Sequence, residues 1–364
     1  MKIELKTGTL SVNETEELNN LTGFGSRENK KRGYLFVSKV LGKHIPSKPS
    51  EMDIIHQKLA NELNTKLNDD YTIYIGFAET ATGLGNGVYE YAKNNKSFYI
   101  HTTRYNLSYP RLIEFEEDHS HAPSHILYHI KNPAIEDILI HVKNIVLIDD
   151  EISTGKTISN IIEQLKISFP LVKNYYCVSI LNWMKETPDN VEFISLYKDT
   201  FTFEDKDFEI TETSKSITEN NDYLNSFMPN NFGRFGIRNS AIDYSEFMDL
   251  SKLQGKKILV IGTGEFIYQP FLFAKHLESQ GIETYLQSTT RSPVNVEFDI
   301  HSKISFKDNY GENIDNFLYN VIDKTYDQIF ICYETISKIN NHELKNKLLE
   351  YFSKVDEIHF EAFI

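Results

Sequence analysis

The stretch Ile145-Val146-Leu147-Ile148-Asp149-Asp150-Glu151-Ile152-Ser153-Thr154-Gly155-Lys156-Thr157 joins an apolar strand to two adjacent carboxylates and then to a Ser/Thr/Gly turn. Behind it, Ile158, Ile161, Ile162 and Leu165 are spaced i, i+3, i+4, i+7, so the turn opens an amphipathic helix. The first backbone N–H groups of such a helix, Thr154 to Thr157, have no intrahelical acceptor, and with the helix dipole and the Ser153, Thr154 and Thr157 hydroxyls they make a phosphate cradle. Gly155 lets the backbone approach the anion. Asp149 and Asp150 end the strand, where parallel α/β sheets bind ligands, and can accept hydrogen bonds from vicinal hydroxyls and help hold Mg²⁺. A triphosphatase P-loop is excluded by spacing: its first glycine would fall at Asp150, and Gly42-Lys43 is followed by His44. A plain buried strand with a capped helix is the bland alternative, but a cap does not require two side-by-side acids followed by Ser-Thr-Gly-Lys-Thr.

Working outward, Met52, Ile55, Leu59 and Leu63 share a helical face, and strands are expected at 71–77, 97–103 and 175–181, with a turn-rich stretch over Glu79 to Gly87. Strand and helix alternate, which predicts a parallel sheet. Residues from about 204 to 250 are charged and weakly periodic, so the junction is placed there, dividing the chain into domains 1–225 and 226–364 that are expected to fold separately. The second half restarts the alternation, with strands at 257–261, 283–287 and 328–332, a helix carrying Leu344, Leu348 and Tyr351, and a strand near Ile358. Gly262-Thr263-Gly264-Glu265 follows its first strand. Ile267 stands where a dinucleotide fingerprint has its third glycine, which disfavours NAD against a structural turn or a phosphate- or nucleotide-like ligand. Thr290, Arg291 and Ser292 follow the next strand and can join Gly262 to Glu265 around one anion. Arg234 and Arg238 are expected to be exposed, with a reach between the halves as the alternative.

Composition bounds the partners. The net charge of -14 opposes nucleic acid and anionic membranes, both of which call for a basic face. Cys177 and Cys332 lie in apolar strand-like runs, as inert buried thiols do. The N-terminus alternates like a strand and no apolar run reaches membrane-spanning length, so the chain is expected to be cytoplasmic.

The 145–157 segment resembles the phosphoribosyl pyrophosphate (PRPP) motif of type I phosphoribosyltransferases, an acidic pair followed by a Thr-Gly-x-Thr phosphate loop. Lys31 to Pro46, Gly76 to Gly83, His101 to Arg104 and Ser288 to Pro293 extend the likeness to phosphoribosyltransferases of tellurium-resistance gene clusters, whose C-terminal domain is named TRSP for its Thr-Arg-Ser-Pro motif. The resemblance implies a type I phosphoribosyltransferase-like parallel sheet flanked by helices, followed by a smaller Rossmann-like α/β domain. It also implies a PRPP- and Mg²⁺-dependent enzyme acting on a base or amine, in either direction, for a nucleoside-like metabolite.

Carried over by position, Glu79-Thr80-Ala81-Thr82-Gly83 is the pyrophosphate loop, Arg104 the cation against pyrophosphate, and Asp149 and Asp150 the catalytic, ribose- and metal-binding pair. Ser153 to Thr157 hold the 5-phosphate, and Lys43 and His44 lie in the hood over the base. Purine-specific members usually have an acid where this chain has Ser153, which weakens a purine assignment. The stretch from Glu114 to His125 falls where such enzymes carry a lid. His119 and His121 can contact pyrophosphate or act as acid or base, and with His125 a transition-metal site stays open. A homodimer is allowed. The competing class is a PRPP- or nucleotide-binding regulator without chemistry; an RNA-binding regulator is disfavoured by the charge.

Overall fold

The computed structural model describes residues 1–115, 125–130, 132–209, 231–239, 242–244, 247–335 and 342–363. The first half runs β1 (Lys2–Leu5), β2 (Gly8–Val12), α1 (Glu16–Leu21), β3 (Thr22–Ser26), β4 (Tyr34–Ser38), α2 (Pro49–Lys66), β5 (Thr72–Gly76), α3 (Ala81–Ala92), β6 (Ser97–His101), β7 (Arg111–Phe115), β8 (His125–Tyr128), α4 (Pro133–His141), β9 (Asn144–Ile148), β10 (Glu151–Ile152), α5 (Lys156–Ser168), β11 (Asn174–Asn182), β12 (Val191–Lys198) and β13 (Phe201–Asp205). The second half adds β14 (Lys257–Gly262), α6 (Tyr268–Ser279), β15 (Glu283–Ser288), β16 (Lys303–Lys307), β17 (Asp315–Tyr319), β18 (Gln328–Tyr333), α7 (Glu343–Leu349) and β19 (Val355–His359).

The main sheet is parallel, in the order β12-β11-β9-β5-β6, with the two-residue β10 continuing β9 along β11. Every residue of β5, β6 and β9 is buried, as a sheet covered on both faces requires. The chain leaves β5 toward β6 on one side and returns to β9 on the other, so β5 and β9 flank the switch point, where doubly wound sheets open a crevice at their carboxyl ends. Gly76 and Ile148 are paired there, and Phe77 N donates to Ile148 O at 3.0 Å.

The second sheet, β15-β14-β18-β19, repeats that order with one strand fewer. Its switch point lies between β14 and β18, at the Gly262 turn and Glu334. The alternation expected from the sequence is therefore present in both halves, and Ile158, Ile161, Ile162 and Leu165 form the buried stripe of α5.

Four antiparallel additions were not legible: the hairpins β3–β4, β7–β8 and β16–β17, and a sheet in which β13 returns to β2. The expected turn over 79–87 is instead mostly helix, since α3 begins at Ala81 despite Gly83, Gly85 and Gly87. Close packing outweighs the poor helix propensity of glycine: a Cβ on Gly83 would lie 2.8 Å from Ile267 Cγ2 of the second half.

The halves meet along α2, α3 and α6, where Lys275 Nζ donates to Asp53 Oδ1 at 2.7 Å. The segment before α2 pairs with β15: Ser47 and Leu286 exchange backbone bonds of 3.0 and 2.8 Å, and Ser288 N donates to Gly42 O at 2.7 Å. Part of the junction is structured too, with Ile237 and Tyr99 exchanging bonds of 2.8 and 2.9 Å at the free edge of β6.

Candidate active site

The acidic pair emerges from β9 at the switch point. Asp149 N donates to Val178 O, and Asp150 O accepts from Ile180 N and Leu181 N, so neighbouring β11 fixes the backbone of both residues. Asp150 N donates to Asp149 Oδ1 at 2.9 Å. Burial and the adjacent Glu151 push the Asp150 carboxyl above its ordinary range, while Arg27 and Arg32 pull it back. Both arginines belong to the β3–β4 hairpin and its turn. Arg32 Nη2 pairs with Glu151 Oε2 at 2.6 Å. An aromatic cluster fastens that hairpin over the site: Phe36 stacks on Trp183 at 4.4 Å, and Phe201 meets Tyr34 at 4.8 Å and Trp183 at 5.3 Å. Arg27 and Arg32 were not singled out from the sequence; a cation beside a strand-end acid cluster becomes visible only when the hairpin folds over it.

Beyond the acids, Gly155 caps α5 at φ +73°, and a Cβ there would lie 2.5 Å from Met184 Sδ. Glycine is thus demanded twice, by conformation and by space. Thr154 and Lys156 are exposed, Ser153 and Thr157 partly so, leaving the start of a 13-residue helix facing solvent. The first helical bond runs from Ser159 N to Gly155 O, 2.9 Å.

Across the crevice, Ala78 N donates to Thr102 Oγ1 at 2.9 Å, and Thr102 Oγ1 also bonds His125 Nδ1 at 2.8 Å. The Ala78–Glu79 peptide is cis. Thr82 Oγ1 donates to Glu79 O and, at 2.9 Å, to Glu265 O of the second half. Of the expected pyrophosphate loop, Ala81, Thr82 and Gly83 thus belong to the first turn of α3. His125 is buried and stacked on Phe115 at 4.9 Å. His119 and His121 lie outside the described residues, and among the described residues no group of three or more His, Cys, Asp or Glu could hold a metal ion.

The second half reaches directly into this crevice. Glu265 accepts from Thr103 Oγ1 at 2.6 Å and from Arg104 N at 2.7 Å, so the Gly262–Glu265 turn holds the backbone of the expected pyrophosphate cation. Arg234, expected to be exposed, is instead 2% exposed: it pairs with Glu265 at 3.2 Å and with Glu334. The alternative of a reach between the halves is what Arg234 does, bonding Thr103 as well, and the two carboxylates after β14 and β18 make its burial tolerable. Arg238 is exposed and donates to Asn95 O.

Lys43, expected in the hood, is buried between the halves. Its Nζ donates to Glu79 Oε1 at 2.6 Å, Thr289 O at 2.7 Å and Gly264 O at 3.3 Å, one acceptor for each ammonium proton. Burial holds the ammonium below its ordinary range despite Glu79. The Glu79 carboxyl, pushed up by burial, is brought net downward by Lys43, Arg291 and Arg104. His44 packs against Tyr319 at 5.6 Å, and burial keeps it neutral. Within the second half, Gly264 N donates to Thr289 Oγ1 at 2.9 Å, Thr263 Oγ1 to Cys332 O at 3.1 Å, and Ser292 N to Thr290 Oγ1 at 3.2 Å.

Paired acids and a Gly155-capped helix start thus meet at the switch-point crevice of an α/β fold. The phosphoribosyl transferase family matches residues 21–198, and the TRSP domain, described as C-terminal to that family, matches residues 232–352. The chain belongs to the phosphoribosyl transferases that carry a TRSP domain, and it is a phosphoribosyltransferase.

Among solved structures, a hypoxanthine phosphoribosyltransferase from Staphylococcus aureus is 14% identical, covering 44% of this chain and 79% of its own, with a TM-score of 0.29. An adenine phosphoribosyl transferase from Trypanosoma brucei, in complex with AMP, pyrophosphate and ribose-5-phosphate, is 14% identical over 50% of this chain and 78% of its own, with a TM-score of 0.37. Likeness at these scores carries nothing about site or substrate. No curated protein matches this chain.

Proposed function

We propose that the chain binds PRPP across the β5/β9 crevice and transfers its phosphoribosyl group to a nitrogen nucleophile, a base or an amine, giving a nucleoside-like product. The observation that carries this reading is the meeting, at one switch point, of Asp149 and Asp150, the Gly155-capped turn and the Glu79 loop. The turn suits the 5-phosphate through the N–H groups of α5 and the Ser153, Thr154 and Thr157 hydroxyls. The acidic pair suits the ribose hydroxyls, and the Glu79–Gly83 segment with Arg104 suits the pyrophosphate.

In the reaction the nucleophile's lone pair forms a bond to ribose C1 as the C1–O bond breaks. The electron pair leaves on pyrophosphate, and the proton released by the nucleophile passes to solvent. The protein's contribution is positioning and fixed charge. Asp149 and Asp150, with the neighbouring Glu151 engaged by Arg32, fit Mg²⁺, which takes most of its oxygens from phosphate and water, and not an all-protein cage. Asp149 and Asp150 would hold that ion or its waters, and its contribution is to neutralise charge on the leaving group.

The test is thermal unfolding with Mg²⁺, with and without PRPP, in the wild type and in Asp149→Asn/Asp150→Asn. Near a hundredfold excess over Kd, PRPP should stabilise the wild type by about 2.7 kcal/mol and leave the double variant unmoved. Equal stabilisation of both proteins, or of neither, removes the assignment.

A further inference from the structure

Arg291 belongs by sequence to the turn after β15, yet its guanidinium lies 4.5 Å from the ring centroid of Tyr105 in the first half. The residue is 5% exposed, and its Nη1 has no hydrogen-bond partner among the described residues. A buried guanidinium donor left unpaired is costly, and native proteins rarely keep one without a use. The neighbourhood identifies that use. Thr289, two residues before, accepts from the same Lys43 ammonium that bonds Glu79, and Arg291 is one of the cations that bring the Glu79 carboxyl down. Tyr105 directly follows Arg104, whose N–H is held by Glu265. Buried Lys43, Arg234 and Arg291 thus lie among the carboxylates Glu79, Glu265 and Glu334, with half-buried Arg104 at the edge of the cluster.

We propose that Arg291 is a pyrophosphate-binding residue of the first half's site: its Nη1 donates to a phosphoryl oxygen of the diphosphate held over the Glu79–Gly83 segment, beside Arg104. The TRSP half then completes the active site and does not carry a phosphate ligand of its own. The guanidinium stays protonated throughout, and its planar fork on the Tyr105 ring is a geometry that lysine cannot reproduce.

This inference rests on the phosphoribosyl-transfer reading, and the experiment separates the two. The full-length chain is titrated calorimetrically, with Mg²⁺ present, against inorganic pyrophosphate and separately against ribose 5-phosphate, in the wild type, Arg291→Lys and Arg291→Gln. Both variants should lose pyrophosphate affinity by about 10- to 100-fold, the range for a hydrogen bond to a charged group, while ribose 5-phosphate binds as in the wild type. Undiminished pyrophosphate binding in folded variants overturns the role of Arg291 alone. A wild type that binds neither probe overturns the transfer reading and this inference with it. Should both variants unfold, a crystal structure of the wild type with Mg²⁺ and pyrophosphate decides: Arg291 Nη1 within hydrogen-bond reach of a phosphate oxygen upholds the role, and a diphosphate bound out of its reach overturns it.

Discussion

The two parallel sheets share a strand order and end at equivalent switch points, yet the two crevices differ in what fills them. At the first, Asp149, Asp150, Ser153 and Thr157 are partly exposed and Thr154 is exposed. At the second, the groups in the same topological places are buried and paired within the protein: Glu265 and Glu334 share Arg234, and Glu265 also holds Thr103 and Arg104. What remains there is a cavity of about 10 Å³, lined among others by Thr82, His101, Arg234, Glu265 and Glu334, room for roughly one water. Topology makes a crevice in both halves, and side-chain charge decides which one stays open to a ligand.

That contrast can be broken by substitution on either side. The largest effect is expected at the open crevice: Asp149→Asn/Asp150→Asn should lower pyrophosphate release from PRPP by about a thousandfold or more, the scale on which preorganised charge acts, with unfolding by denaturant little changed. Comparable turnover in the folded variant would erase the distinction between the crevices.

At the filled crevice the expected effect is on stability. Arg234→Met strands Glu265 and Glu334 without their buried cation, a loss of about 3–5 kcal/mol in denaturant unfolding. A cost below 1 kcal/mol would mean that the network behaves as a surface ion pair does.

A pH dependence sharpens the picture where α2, α3 and α6 meet. His56 is buried against Phe271, with neither ring nitrogen hydrogen-bonded among the described residues, and burial lowers its pKa to about 4. The unfolded chain then binds a proton that the native one refuses. The stability that neutral His56 supplies is therefore complete above the unfolded pKa, near 6.5, and is lost as pH falls toward 4, at up to about 1.4 kcal/mol per unit. His56→Leu should flatten the slope of unfolding free energy across that window, and an unchanged slope would assign the dependence to other groups such as His101, also held near 4.

The smallest effect is expected at the rim. Lys275, 40% exposed, bridges to Asp53 beside Tyr91, and Lys275→Met should cost no more than about 1 kcal/mol in the same measurement. A larger loss would make this contact a principal fastening of the two halves.

The 145–157 segment was legible because its fold and its chemistry are written in adjacent residues: an apolar strand, the acids that end it, and the turn that opens α5. Glu79 was found as part of a turn, but its partners were not, since Lys43, Thr289 and Arg291 are separated from it by 36 to 212 positions and carry no common spacing. The same limit hid the partners of Arg234, since Glu265 and Glu334 lie 31 and 100 positions away at two strand ends. The β3–β4 hairpin was missed because it is short and its place is decided by packing on Trp183 and Phe201, not by a local period.

The sequence by itself determined the alternating α/β architecture, the acid pair at the end of β9 and the glycine turn that caps α5, because periodicity and chain order act over a few residues. Only the tertiary structure decided that the second half closes on the first, with Glu265 seated on Arg104 and Arg291 on Tyr105. Burial and long-range charge pairing depend on which surfaces meet, and that information is spread along the whole chain.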